Sequence, residues 1–198
     1  MTTYPFSPSF LEHIRSMFLQ FAPWRTSYPE NLKQAAVGII LVATEDGSGE
    51  TAFLLTVRSA KMRSHAGQYA LPGGRIDQGE DAVATVIREC MEEIGLDLSA
   101  DQLLGALDLY ATQAGYAITP VVFATTKELD LCLNPTEVDQ VFRIKLSDLS
   151  GQRSHSFHSR RRRTTSYTLS NLRSSHTRTD GGHSLSILRD DSRAIPTS

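Results

Sequence analysis

The 198-residue chain has only two cysteines, Cys90 and Cys132, and they form neither a CxxC pair nor a paired framework. No disulfide is expected, and this usage fits a reducing compartment. No run of eighteen apolar residues is present, which excludes an ordinary membrane-spanning helix. The N-terminus lacks the charged, apolar and small-residue order of a secretory signal, and the C-terminus lacks a peroxisomal SKL-like ending. A soluble intracellular protein is expected, with cytoplasm, peroxisome and mitochondrion left open. Net charge is small as well, at −2. Nine arginines against three aspartates give residues 151–198 a local +6, so residues 1–150 carry −8. An acidic body does not by itself attract phosphate esters, so an anionic substrate needs a metal and local arginines.

Length and an apolar content of 40% fit one domain with a sizeable core plus extensions. Ser9 and Glu12 have the spacing of a capping box, and Phe10, Ile14, Phe18 and Phe21 recur at helical spacing, which predicts a helix over about 10–21. Pro23 ends it. Trp24, Tyr28 and Pro29 read as a linker within residues 1–33, its aromatics packed on the domain or bordering an adenine or acyl pocket. Residues 35–43 (AAVGIILVA) and 51–58 (TAFLLTVR) read as buried strands, joined as a hairpin through the Asp-Gly of TEDGSGE. Further strands are expected over 103–110, 118–125 and 140–146. Strands around a central helix with short connections predict an α+β domain over 34–150, a mixed sheet folded over that helix.

Residues 151–198 are rich in Ser, Arg and His with little periodic apolar content, so a disordered or weakly ordered tail is expected. The run Arg160–Arg163 has the charge to touch nucleic acid or anionic lipid. Without interleaved aromatics it reads as a solvated tail, and neither nucleic acid nor membrane is expected as a partner.

The densest chemistry lies in 74–96, GRIDQGEDAVATVIRECMEEIGL. In a helix starting at Glu80, Glu89, Glu92 and Glu93 fall within roughly 100° of arc, opposite an apolar stripe of Val83, Ile87, Cys90, Met91 and Ile94. Crowded carboxylates resist ionisation unless a cation offsets them, and hard oxygen ligands suit Mg²⁺ or Mn²⁺. Arg88 is placed to pair with Glu92 at i, i+4. The spacing of Gly74, Glu80, Arg88-Glu89, Glu92-Glu93 and Gly95, followed by aliphatic Leu96, resembles the signature box of the Nudix hydrolases. Its seven fixed positions have a joint chance probability on the order of 1 in 10⁸ at one chosen place. Cys90 departs from the aliphatic residue usual there and replaces it as a small hydrophobe. The resemblance implies an α/β/α sandwich with a mixed β-sheet and a catalytic loop-helix. It assigns Glu89, Glu92 and Glu93 to metal binding and catalysis and gives Glu80 a supporting role.

Directly before the box stand Leu54-Leu55-Thr56-Val57-Arg58-Ser59, then Arg63, Gly67 and Leu71-Pro72-Gly73-Gly74 at regular spacing. This stretch resembles the motif of the coenzyme A diphosphatase branch, with Leu71 in place of the usual Phe. Arg58 and Arg63 are planar, permanently charged donors suited to phosphate oxygens. Gly67, Gly73 and Gly74 let backbone approach a ligand, and His65 is either a further donor or a solvated loop side chain. The resemblance implies metal-dependent hydrolysis of CoA or acyl-CoA to 3′,5′-ADP and (acyl-)4′-phosphopantetheine. Because the catalytic base in this family sometimes lies outside the box, Glu137 in NPTEVDQV is a candidate. The box alone also permits ADP-ribose or an oxidised nucleotide as substrate. The tail, standing where the branch usually continues with apolar sequence, raises a metal-binding, catalytically weak form with a binding role. Acyl preference and oligomeric state are not set by the sequence.

Overall fold

A computed structural model describes residues 2–20, 31–62 and 64–149, and the backbone of 156–157 and 167–168. The chain divides into two units, Met1–Ser150 and Gly151–Ser198.

In the first unit, α1 (Pro8–Gln20) leads into β1 (Lys33–Ala43) and β2 (Thr51–Arg58), two short strands β3 (Tyr69–Ala70) and β4 (Gly73–Arg75), and then α2 (Ala82–Ile94). A 3-10 turn (Ala100–Gln102) precedes β5 (Leu103–Ala106), β6 (Tyr110–Ala111), β7 (Tyr116–Ala124), β8 (Val138–Lys145) and the single turn α3 (Leu146–Leu149). The strands form one eight-stranded sheet. β1 pairs antiparallel with β2 and β4 and parallel with β7, so the sheet is mixed as expected. β8 lies antiparallel on β2, with a register shift at Val57/Arg58.

The unbroken apolar run of β1 follows from burial on both faces. Ala36, Ile40 and Val42 join Val86, Cys90 and Ile94 of α2 in one core. The intervening Ile39 and Leu41 join a second cluster with Leu11, Ile14 and Phe18 of α1. Helices therefore cover the two faces of the sheet, in the sandwich that the family resemblance implies. The expected β1–β2 hairpin forms, with Asp46 accepting the Ser48 N–H at 3.0 Å across its tip.

Three local expectations change. The cap of α1 is Ser7, not Ser9: Ser7 Oγ accepts the Phe10 N–H at 3.2 Å, which leaves Pro8 at the first helical position, where its missing N–H costs nothing. The strand expected over 103–110 is split into β5 and β6: pairing with β7 runs to Ala106↔Val121 and resumes at Tyr110↔Ile118, one residue out of register, with residues 107–109 outside either strand. In α2, Met91 is exposed whereas Thr85 and Val86 are fully buried, so the buried stripe is rotated from the one read in the sequence. Phe21, Trp24, Tyr28 and Pro29 lie outside the described residues.

In the second unit, β9 (Ser156–Phe157) and β10 (Tyr167–Thr168) pair antiparallel. The remainder of that unit, including Arg160–Arg163 and the expected disorder of 151–198, lies outside the described residues. Among the described residues no helix is long and apolar enough to cross a membrane.

Candidate active site

α2 begins two residues later than Glu80. Its N-cap is Asp81, whose carboxylate accepts the Ala84 N–H at 2.8 Å, as short polar caps do. Gly95 ends it in a left-handed conformation, φ 67°. The Leu96 N–H returns to the Cys90 carbonyl at 3.1 Å, a Schellman-type ending.

Glu80, left in the turn before the helix, reaches back to Arg88. Arg88 Nε donates to Glu80 Oε1 at 2.8 Å and Nη2 to Glu80 Oε2 at 3.0 Å. Thr85 Oγ1 adds a 2.8 Å bond to the same carboxylate. With Arg88 as the foremost cause, the Glu80 carboxyl is held down at about 2. The same guanidinium donates to Glu89 at 2.9 Å, Glu92 at 3.0 Å and the Arg75 carbonyl at 3.2 Å. Arg88 thus ties the helix to β4, well beyond the expected pairing with Glu92.

The three box glutamates do not share one solvent face. Glu92 is half exposed, Glu89 is largely covered, and Glu93 is 3% exposed. β4 is the cause, since it crosses this side of α2 at backbone distance. A Cβ on Gly74 would fall on the Glu89 carboxylate, and one on Gly73 would fall on the Ala36 carbonyl oxygen. Gly73, at φ 152°, also holds a backbone conformation that favours glycine. Its N–H donates to Glu93 Oε2 at 3.2 Å.

Burial, opposed by the Gly73 N–H, pushes the Glu93 carboxyl up to about 7, with repulsion from Glu89 and Glu137 adding to it and Arg58 opposing. Burial likewise raises Glu89 against the Arg88 hydrogen bond, and Glu92 and Glu137 push the same way. Arg58 Nη1 stands 3.9 Å from Glu93 Oε1. Its Nε is buried with no hydrogen-bond partner among the described residues.

The structure therefore brings together Glu89, Glu93, Gly73, Gly74, Arg58 and Glu137, with Glu92 beside them through Arg88. Gly67 and His65 belong to the loop after β2. The Gly67 N–H closes that loop on the Arg58 carbonyl at 3.0 Å. His65, exposed and at φ 57°, pairs its Nδ1 with Gln68 Oε1 at 3.0 Å. Arg63 lies outside the described residues.

The NUDIX domain family matches residues 32–166, more than half of the chain. The chain belongs to the Nudix hydrolase family. It is 35% identical over 141 residues to a protein of Photorhabdus laumondii described as an uncharacterized Nudix hydrolase, NudL, covering 71% of this chain and 73% of that one. It is 34% identical over 144 residues to Nudix hydrolase 3 of Caenorhabditis elegans, 71% of this chain and 59% of that protein. Among solved structures, a C. elegans Ap4A hydrolase binary complex matches with a TM-score of 0.46 at 24% identity, over 58% of this chain and 82% of that one. The family match runs sixteen residues past the boundary expected at 150.

Nudix enzymes generally use divalent metal ions. Among the described residues, no three His, Cys, Asp or Glu side chains form a group that could hold an ion unaided. The donor chemistry nevertheless fits a partial site. Glu89 and Glu93 are two hard carboxylates whose charge is raised in cost by burial and mutual repulsion. Mg²⁺ is commonly bound by one or two carboxylates completed by waters and substrate phosphates.

Sequence reasoning gave no part to Thr85, Ser59 and Asn134, which the structure places beside these residues. Ser59 is fully buried, donating its N–H to the Glu137 carbonyl at 2.8 Å and its Oγ to the Pro135 carbonyl at 3.1 Å. The Asn-Pro before Glu137 was the available signal, since it marks a turn that fixes whatever follows.

Proposed function

We propose that this Nudix enzyme hydrolyses the diphosphate bond of coenzyme A or acyl-CoA with Mg²⁺ or Mn²⁺, giving 3′,5′-ADP and (acyl-)4′-phosphopantetheine. One observation supports this above the rest. Arg58, within the 54–74 stretch that resembles the CoA diphosphatase motif, stands 3.9 Å from Glu93 and anchors the loop that carries the remainder of that stretch. A guanidinium is suited to planar, bidentate contact with phosphate oxygens.

In this reading Glu89 and Glu93 would hold the metal, with Glu92, tied beside them through Arg88 at 3.0 Å, as its third carboxylate once water and substrate phosphates complete the site; a bound metal would supply charge neutralisation on the diphosphate and a more acidic water. Arg58 and Arg63 hold phosphate oxygens, His65 adds a donor, and Gly67, Gly73 and Gly74 let the diphosphate meet backbone. Glu137 takes the proton of the attacking water. The water oxygen bonds to phosphorus, and the bridging oxygen departs with the electron pair of the broken P–O bond. Arg88 and Glu80 hold the helix against β4, which keeps Glu89 and Glu93 together.

The test is a product assay on CoA, acetyl-CoA, ADP-ribose and 8-oxo-dGTP, each with Mg²⁺ and with Mn²⁺. Release of 3′,5′-ADP from CoA at the highest kcat/KM of the set is the expected result. Preference for ADP-ribose or 8-oxo-dGTP would move the chain to another Nudix reaction, and turnover of none would leave a binding role.

A further inference from the structure

We infer that Asn134 is a positioning residue that aims the Glu137 carboxylate at the reacting diphosphate. The inference rests on Glu137 taking the proton, as proposed above.

The Asn134 side chain uses both ends. Oδ1 accepts from the Thr136 N–H at 3.1 Å and from Thr136 Oγ1 at 2.7 Å. A backbone N–H is an obligate donor, so the amide cannot be turned round, and Nδ2 must be the end that faces Glu137. Nδ2 donates to Glu137 Oε1 at 3.1 Å. With one oxygen held, the other is directed rather than free to rotate.

The backbone of the same residue fixes where this turn sits. The Asn134 N–H donates to the Glu93 carbonyl at 3.0 Å, and the Asn134 carbonyl accepts from the N–H groups of Glu137 at 3.0 Å and Val138 at 2.8 Å. Ser59, next to Arg58, donates its N–H to the Glu137 carbonyl at 2.8 Å. The turn is therefore fastened to the two residues that flank the site, Glu93 through its own carbonyl and Arg58 through its neighbour. Backbone bonds place Glu137, and one side-chain bond aims it.

Asn134→Asp separates aiming from folding. It keeps an oxygen for Thr136, and so the turn, but replaces the Nδ2 donor with an oxygen that repels Glu137. On the substrate that wild type hydrolyses best, kcat is expected to fall between about 10-fold and 100-fold, the range for losing a charged hydrogen bond that serves a general base. KM stays within about 3-fold and Tm within about 2 °C, because substrate contacts and packing are untouched. In a Glu137→Gln background the same exchange has no further effect on kcat, since the group it aims has lost its role.

Unchanged kcat in Asn134→Asp, or an equal loss in both backgrounds, would overturn the inference, the second showing a purely structural part. Wild-type kcat in Glu137→Gln would also overturn it while leaving the CoA reading intact. Failure of CoA as substrate leaves the cycle to be run on ADP-ribose or 8-oxo-dGTP, so the two failures are distinguishable. Should Asn134→Asp not fold, Asn134→Ser keeps a hydroxyl for Thr136, is too short to reach Glu137, and has the same expected and overturning outcomes.

Discussion

Glu80 and Glu93 stand near opposite ends of one helix, and the chain treats them in opposite ways. Glu80 has two guanidinium bonds and a threonine hydroxyl, and its carboxyl is held at about 2. Glu93 has one backbone N–H, an arginine at 3.9 Å and a second glutamate beside it, and its carboxyl rises to about 7. A carboxylate whose charge the protein satisfies is a structural tie. On the function proposed above, one whose charge is left wanting is the one that takes the metal cation. The contrast separates architecture from chemistry within a single sequence box.

The largest effect that tests this division is on turnover. Glu93→Gln removes a charge with almost no change in volume, and loss of metal-dependent hydrolysis by 10²-fold or more is expected, the scale of a transition-state charge contact. Steady-state kinetics at saturating metal measures it. Near wild-type turnover would place Glu93 with Glu80 as a tie.

The second effect is on stability without metal. Glu93 is raised from 4.5 to about 7. The stability it contributes is complete below the unfolded value and is lost as pH rises through the folded one. Between pH 4.5 and 7 wild type therefore loses stability relative to Glu93→Gln, by about 3 kcal/mol at ~1.4 kcal/mol per unit. Urea unfolding of both proteins in EDTA gives the difference, in which other titrating groups cancel. Adding Mn²⁺ at pH 7.5 is expected to restore wild type and not the variant. A difference that does not vary with pH would remove the strained-carboxylate argument.

Why one glutamate was legible and the other misplaced is a matter of which contacts periodicity encodes. Helical spacing located α2, the part of its apolar side that holds Cys90 and Ile94, and the Arg88–Glu92 pairing, because these depend on residues three to eight apart. It put Glu93 on an exposed face with Glu89 and Glu92. Burial of Glu93 is caused by β4, twenty residues earlier, and only the Gly73-Gly74 pair hints that backbone will pass so close. Alternation and apolar runs located β1, β2, β7 and β8 to within two residues at most ends. The break between β5 and β6 comes from register against β7, which no local pattern carries. Glu137 was legible as an acid outside the box and Asn134 stands only three residues before it, but the bond that seats their turn, from the Asn134 N–H to the Glu93 carbonyl at the end of α2, joins residues too far apart for any local pattern.

The third test reverses a sign. Glu80 is lowered from 4.5 to about 2, so the stability it contributes is present above pH 4.5 and is lost as pH falls through about 2. At pH 7.5 in EDTA, Glu80→Gln is expected to lower Tm where Glu93→Gln raises it. Thermal melts of the two variants side by side decide this. Shifts of the same sign would mean that the two carboxylates do not differ in kind.

The smallest effect sharpens the structural half. Thr85 is fully buried and donates its hydroxyl to Glu80 Oε2 at 2.8 Å, while its backbone N–H continues the helix to the Asp81 carbonyl at 3.0 Å. Thr85→Val keeps shape and branching and removes only the hydroxyl. Glu80 retains Arg88 at 2.8 and 3.0 Å, so no carboxylate is orphaned, and the net cost is about 1 kcal/mol. For a chain of this length that lowers Tm by about 2–4 °C. Because Arg88 still grips Glu89 at 2.9 Å, kcat is expected to stay within about 2-fold, inside the range for a substitution that touches no reacting group. A loss of turnover well beyond that, at unchanged Tm, would show that the tie at Glu80 reaches into the chemistry at Glu89, and the two ends of the helix would have to be treated as one site.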